Sequence, residues 1–185
     1  MVASIDQQID RLSATLNAIS DRDVPLAQAS ATNKTLQQFR TQVIRAVSRD
    51  ENIPAKLIRN KTFISRANKN KLRGSLSVYA RDIPVVSLLS KTAILKAGGR
   101  GTNRSGVTVK GRNFPGAFVN IVLGGKSVQV LRRKGREREP IEVLKISIKK
   151  SVEKNVDTLS RTFLRNQFPR LLAQDLKFRL SKYVR

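Results

Sequence analysis

The chain has no cysteine and no histidine. Their absence excludes thiol nucleophiles, imidazole bases, disulfides and zinc sites built from Cys and His. Carboxylates are the remaining route to acid–base or metal chemistry, and they are scarce, with 13 Asp and Glu scattered over 185 residues. Asp6 and Asp10 share one helical face, as do Glu153 and Asp157, but both pairs lie on segments that read as exposed helices. No residue is therefore assigned a catalytic, metal-binding or cofactor-binding role, and the chain reads as a non-enzyme.

Tryptophan is also absent, and aromatics make up 5% of the chain. That leaves little material for platforms on which bases stack, so any contact with nucleic acid is expected to run through phosphates. No apolar run reaches the roughly 18 residues that span a bilayer, and no membrane is expected. The opening MVASIDQQIDRLSATL has neither a basic leader nor an unbroken apolar stretch. It is not a secretory signal, and the expectation is a protein that begins in a cytoplasm.

Positive charge is what the chain has in abundance. The net charge is +24 with a pI near 11.5, against 39% hydrophobic residues and a mean hydropathy of −0.32. Such a field adds nothing to the fold and strains it by self-repulsion, so an anionic partner is implied. The basic residues cluster. One set is Lys56, Arg59, Lys61, Arg66, Lys69, Lys71 and Arg73; a second is Lys96, Arg100, Arg104, Lys110 and Arg112; a third is Arg132, Arg133, Lys134, Arg136 and Arg138. Phosphate contact by such clusters releases counterions and weakens steeply with salt. No helix-turn-helix, zinc finger or aromatic RNA-binding signature accompanies them, which argues against reading of base sequence.

Apolar spacing organises the rest. Ile5, Ile9, Leu12, Leu16 and Ile19 recur at steps of four, three, four and three, one stripe of an amphipathic helix with Ser4 as its N-cap. The stretch SDRDVP at 20–25 is expected to interrupt it. A second helix follows from Pro25 to Arg49, with Leu26, Ala29, Leu36, Phe39, Val43 and Val47 inward. A short helix near Pro54 precedes strand-like LRGSLSVYA and extended DIPVVSLLSKT. The glycine-rich 96–106, KAGGRGTNRSG, is a loop without the spacing of a phosphate-binding loop. Strands are expected at 107–110, 117–123 and 127–132, the last two joined at Gly124-Gly125. Residues 140–148 alternate with one slip of register, as a strand or as the lead into a helix. Helical spacing then runs from 149, with Pro169 breaking or kinking it before Leu171, Leu172, Leu176 and Leu180.

The predicted class is α+β: a central, mostly antiparallel sheet with amphipathic helices at both termini. Three segments make up one structural domain. They are a helical hairpin or arm over 1–50, a basic α+β core over 51–148, and C-terminal helices over 149–185 packing on that core.

Between the second and third basic clusters stands VTVKGRNFPGAFVN. Together with RDIPVVSLL at 81–89 and REPIEVLKISI at 138–148, in that order and spacing, it resembles the minor tail protein Z family of tailed phages. The resemblance spans about residues 5–180. It implies a structural protein of the virion, a tail completion or tail terminator component at the head-proximal end of the tail, present in the host cytoplasm during assembly. Tail tubes commonly have six-fold symmetry, so it further implies a homo-oligomer, a hexameric ring. The implied partners are the tail tube, the neck or connector proteins, the tape-measure protein and phage DNA passing through.

Within that frame, Lys69, Lys71, Arg73, Arg100, Arg104, Arg112, Arg132, Arg133, Lys134, Arg136 and Arg138 are candidates to face DNA or an acidic partner. Phe114, Pro115, Gly116 and Phe118, and the stripe Ile5, Ile9, Leu12, Leu16 and Ile19, are candidates for packing within or between subunits. The competing reading from charge and size alone is a non-specific nucleic-acid-binding protein, ribosomal- or nucleoid-like, acting outside a virion. A nucleic-acid enzyme is a weaker rival, because no clustered carboxylates stand ready for metal.

Overall fold

The computed structural model describes residues 5–90, 106–122, 127–134 and 141–183. The expectations for Ser4, Gly124-Gly125, Arg100, Arg104, Arg136 and Arg138 lie outside the described residues. The class is α+β, with long helices toward both ends and small antiparallel sheets between them. The chain divides into two compact units. One comprises residues 1–44, 62–78 and 154–185; the other comprises 45–61 and 79–153.

The first unit begins with helix α1 (Ile5–Ala18), followed by a π-helical turn (Ile19–Asp23) and the 27-residue helix α2 (Val24–Asp50). The expected interruption at 20–25 is thus corrected: the helix is continuous. Pro25 has no N–H for the Asp21 carbonyl and its ring crowds the preceding turn. The helix accommodates it by widening, with the Val24 N–H reaching five residues back to the Ile19 carbonyl. The inward face of α2 matches the periodic positions, with Ala29, Leu36, Phe39, Val43 and Val47 buried and Leu26 half-buried.

Strands β1 (Thr62–Ser65) and β2 (Ser75–Val78) form an antiparallel pair in register Thr62↔Val78. Helix α4 (Lys149–Leu159) begins in the second unit and passes into the first, continuing through a second π turn (Ser160–Leu164) into α5 (Arg165–Leu180). Pro169 lies inside α5, which continues past it instead of breaking. The Phe163 ring packs against Phe39 of α2 at 6.1 Å between centroids.

Two buried carboxylates tie these helices together. Asp175 of α5 receives Lys34 of α2. Asp23, 1% exposed in the π turn, takes the Lys182 ammonium at 2.9 Å and the Tyr183 hydroxyl at 2.6 Å. The Tyr183 and Lys182 hydrogen bonds hold the Asp23 carboxyl below its ordinary value. For Asp175, burial pushes the carboxyl up, but hydrogen bonds from Lys34 and Ser30, and the charges of Lys34 and Arg179, bring it below the usual range.

The second unit opens at the end of α2. Helix α3 (Ala55–Arg59) starts after Pro54, and Ile53 and Ile58 are fully buried. Three small antiparallel sheets follow. Strand β3 (Ile83–Pro84) pairs with β9 (Lys145–Ile146), and β4 (Val107–Val109) pairs with β5 (Arg112–Phe114). Strands β6 (Ala117–Val122), β7 (Ser127–Arg133) and β8 (Ile141–Val143) form the third. The β6–β7 pairing, Ala117↔Arg132 through Val122↔Ser127, is the expected hairpin.

The register slip expected in 140–148 is corrected: the alternation is unbroken, and the apolar residues simply occupy both faces. At Leu144 the chain leaves one sheet for another: its N–H bonds the Val130 carbonyl and its carbonyl accepts from Val85. Before the switch Ile141 and Val143 are exposed; after it Leu144, Ile146 and Ile148 are buried. Exposure alternates strictly along the segment, so Ile141 and Val143 share the exposed face with Lys145, while Leu144, Ile146 and Ile148 share the other.

Because both carboxyls are depressed in the fold, their contribution is present above the ordinary carboxylate pKa of about 3.9 and lost as pH falls through the lowered values. At neutral pH the Asp23→Asn variant is expected to melt below the unaltered chain. The gap between the two Tm values should close on acidification below about pH 4, as followed by circular dichroism. A gap that does not change with pH would mean that Asp23 acts by shape alone.

Candidate polyanion interface

Residues 52–81 carry eight basic residues and no acidic one. The loop between β1 and β2 lies within this run. Asn68 closes a tight turn, its Oδ1 accepting from the N–H groups of Asn70 at 3.0 Å and Lys71 at 2.7 Å, while its own N–H bonds the Lys71 carbonyl. An Asn can do this because its side chain mimics a backbone acceptor.

The loop is fastened to α2 at both ends. Asn33 bonds Ala67 twice, its Nδ2 donating to the carbonyl and its Oδ1 accepting from the amide, both at 2.9 Å. At the other end Gly74 leaves no room for a side chain: a Cβ there would stand 2.6 Å from Leu36 Cδ1 and 3.1 Å from the Ser65 carbonyl oxygen. Between these anchors Lys69, Lys71 and Arg73 are all exposed, together with Arg66. A backbone held this way presents its cations without having to be ordered when an anion arrives.

The candidates of the second unit are differently placed. Arg112 is half-buried and engaged by Glu51, its Nη2 donating to Oε2 at 2.6 Å and to the Glu51 carbonyl at 3.0 Å. Asn52 beside it donates to the Lys110 carbonyl at 3.0 Å. Lys110 and Gly111 both have positive φ, 51° and 78°, the geometry of a two-residue hairpin turn. Glu51 and Asn52 thus hold both sides of the β4–β5 hairpin.

Arg132 gives Nε and Nη2 to Glu142 Oε1 on β8, at 3.0 and 2.6 Å, and Lys134 lies 3.9 Å from the same carboxylate. Pairs this exposed contribute little to stability, but they reduce the charge on offer. Arg133 projects from the other face of β7, its guanidinium 5.9 Å from the Phe118 ring, a diagonal cross-strand contact.

Phe114 and Phe118 are half-buried, Pro115 and Gly116 are exposed, and Ala117 between them is buried. Gly116 has φ of 68°, so Pro115-Gly116 is a turn that carries the chain from the β4–β5 pair to the β6–β7–β8 sheet. Gly106, at φ 82°, lies so close that a Cβ on it would meet the Phe114 carbonyl oxygen at 2.2 Å. On α1, Ile9, Leu12 and Leu16 are exposed, and Ile19 in the π turn that follows is half-buried.

The structure therefore brings Lys69, Lys71 and Arg73 together on one anchored loop in the first unit, and Arg132, Arg133 and Lys134 together at one strand end in the second. The anchors Asn33 and Gly74 carry no charge and were not candidates from sequence; the Asn-x-Asn turn beside three cations was the available signal. Among the described residues no group of three or more Asp or Glu converges to hold a metal, and no helix is long and apolar enough to cross a membrane. Replacing Asn33 with Ala removes both bonds to Ala67 and is expected to cost about 1–3 kcal/mol. It should speed exchange of the Ala67 amide hydrogen in NMR or mass spectrometry; unchanged exchange would show that the loop is held without it.

Comparison with known proteins agrees over nearly the whole chain. The family described as Prophage minor tail protein Z (GPZ) matches residues 7–185. The Tail completion protein of Escherichia phage N15 is 28% identical over 165 residues, covering 87% of this chain and 84% of that protein. The Tail completion protein Z of Escherichia phage lambda is 25% identical, covering 100% of this chain and 98% of that protein. No solved structure matches. With its family match running through both units, the chain belongs to the prophage minor tail protein Z family.

Proposed function

We propose that this chain is a structural tail completion protein. It acts at the head-proximal end of the phage tail, as a homo-oligomeric ring, six-fold if it follows the tail tube, between the tube and the neck. Its work is done by shape and positive potential, without catalysis. The observation that carries the tail role is the family match across residues 7–185, with two tail completion proteins among the relatives. The observation that supports contact with an anion is the anchored loop with exposed Lys69, Lys71 and Arg73 in a 30-residue run without a carboxylate.

In the ring these cations, with Arg133 and the clusters around 100–104 and 132–138, meet the phosphates of passing DNA or an acidic segment of the tape-measure protein or tube. Passage requires charge without base recognition, because a site that read sequence would hold the DNA in place. Exposed cations on a surface poor in aromatic residues suit that requirement. Arg112 and Arg132 serve the second unit's own packing in part, through Glu51 and Glu142, and contribute less to the lumen.

The test is sedimentation of the purified full chain with and without duplex DNA. Expected is an oligomer that forms in the absence of nucleic acid and binds duplex DNA weakly, with affinity falling steeply as salt rises. Neutralising Lys69, Lys71 and Arg73 together should lower the salt slope by about 3, roughly 0.9 for each phosphate left without its cation. A stable monomer that binds duplex DNA tightly at moderate salt would favour the nucleoid-like alternative and overturn the ring.

A further inference from the structure

We propose that α1 is the ring's connecting element: its apolar stripe docks on the C-terminal end of α5 in a second copy of this chain. This rests on the self-association put forward above and names the contact that makes it.

Three observations converge. The first is exposure. Ile9, Leu12 and Leu16 are 54%, 61% and 56% exposed although they repeat at the three- and four-residue steps of a helix seam. Scattered exposed leucines need no explanation, but three in one row on a helix are an uncovered face. The spacing 9, 12, 16 is that of core positions in a two-helix contact, so the expected occupant is itself helical. With 14 residues, α1 is about 21 Å long, enough to lie along one neighbouring helix.

The second observation is a matching site. Phe178 near the end of α5 is 79% exposed, more than any other large apolar side chain among the described residues. It lines a pocket of about 510 Å³ with Arg179, Ser181 and Lys182. An aromatic ring beside an open pocket can receive a leucine from a neighbouring helix, which is how knobs fill holes between helices.

The third is charge. Helix α1 holds Asp6, Asp10 and Arg11, a net −1 in a chain of +24. Asp10 is exposed and follows Ile9 in the chain; exposed Lys177 and half-buried Arg179 flank Phe178 in the chain, and Lys182, engaged by Asp23, lines the same pocket. An apolar helix of net −1 fits an apolar ring flanked by cations better than it fits a second copy of itself. Helix and pocket are different surfaces of the same chain, so the contact is heterologous. Each copy gives a helix to one neighbour and a pocket to the other, and a rotation that closes produces a ring.

The absence of native cysteine makes the test clean. Full-length Leu12→Cys and Phe178→Cys variants are mixed, oxidised and run on non-reducing denaturing gels. Both positions are more than half exposed, so neither change should impair folding. Expected is a disulfide-linked dimer in the mixture and monomer from either variant alone. A dimer from Leu12→Cys alone would show that α1 meets α1 and would overturn the proposal. Oligomer by sedimentation without a cross-link in the mixture would remove this contact and leave the ring standing. A monomer at every concentration would remove both.

Discussion

Excess positive charge with few carboxylates to balance it is the constraint on which the rest of the structure turns. Thirteen acidic residues face thirty-seven basic ones, and several of those thirteen serve as internal clamps. Asp23 and Asp175 join the two ends of the first unit through Lys182, Tyr183 and Lys34. Glu51 holds the β4–β5 hairpin through Arg112, and Glu142 spans β7 and β8 through Arg132. A carboxylate used to fasten the fold is not available to neutralise the surface. The imbalance is greatest in the sequence between residues 52 and 81, where eight basic residues stand without an acidic one.

That division separates cations that support the fold from cations that face solvent. Arg112 and Arg132 have partners and fixed positions. Lys69, Lys71 and Arg73 are exposed on a loop whose backbone is pinned by Asn33 and by the close approach of Gly74 to α2. Rigidity beneath and charge above suit a surface that must attract a polyanion and then let it slide, the property the proposed tail role requires. Helix α1 stands apart from this pattern, with a net charge of −1 and an uncovered apolar stripe, the surface proposed to meet a second copy.

Much of this was legible in the sequence because it followed from periodicity. The inward face of α2 and the β6–β7 hairpin follow from spacing of apolar residues, and the resemblance carried by FPGAF and PIEVLKI was supported across the chain. The helix through 20–25 was not legible. Pro25 is a strong local stop signal, and only the long-range anchoring of Asp23 by Lys182 and Tyr183, 159 and 160 residues away, accompanies its inclusion in a widened turn. Arg112 looked like its neighbours in a basic cluster because its partner Glu51 lies 61 residues distant. β1 was missed because four residues, TFIS, hold too short a pattern to stand out beside the charges around them.

The central claim is that this member of the minor tail protein Z family works as a charged building block of the virion. Imaging of the assembled particle by electron cryomicroscopy, with density for this chain located, tests it most directly. The account predicts a ring of copies at the head-proximal end of the tail tube, with the anchored basic loop turned toward the channel. Density at the distal tip, or particles that are complete and infectious without the chain, would contradict it.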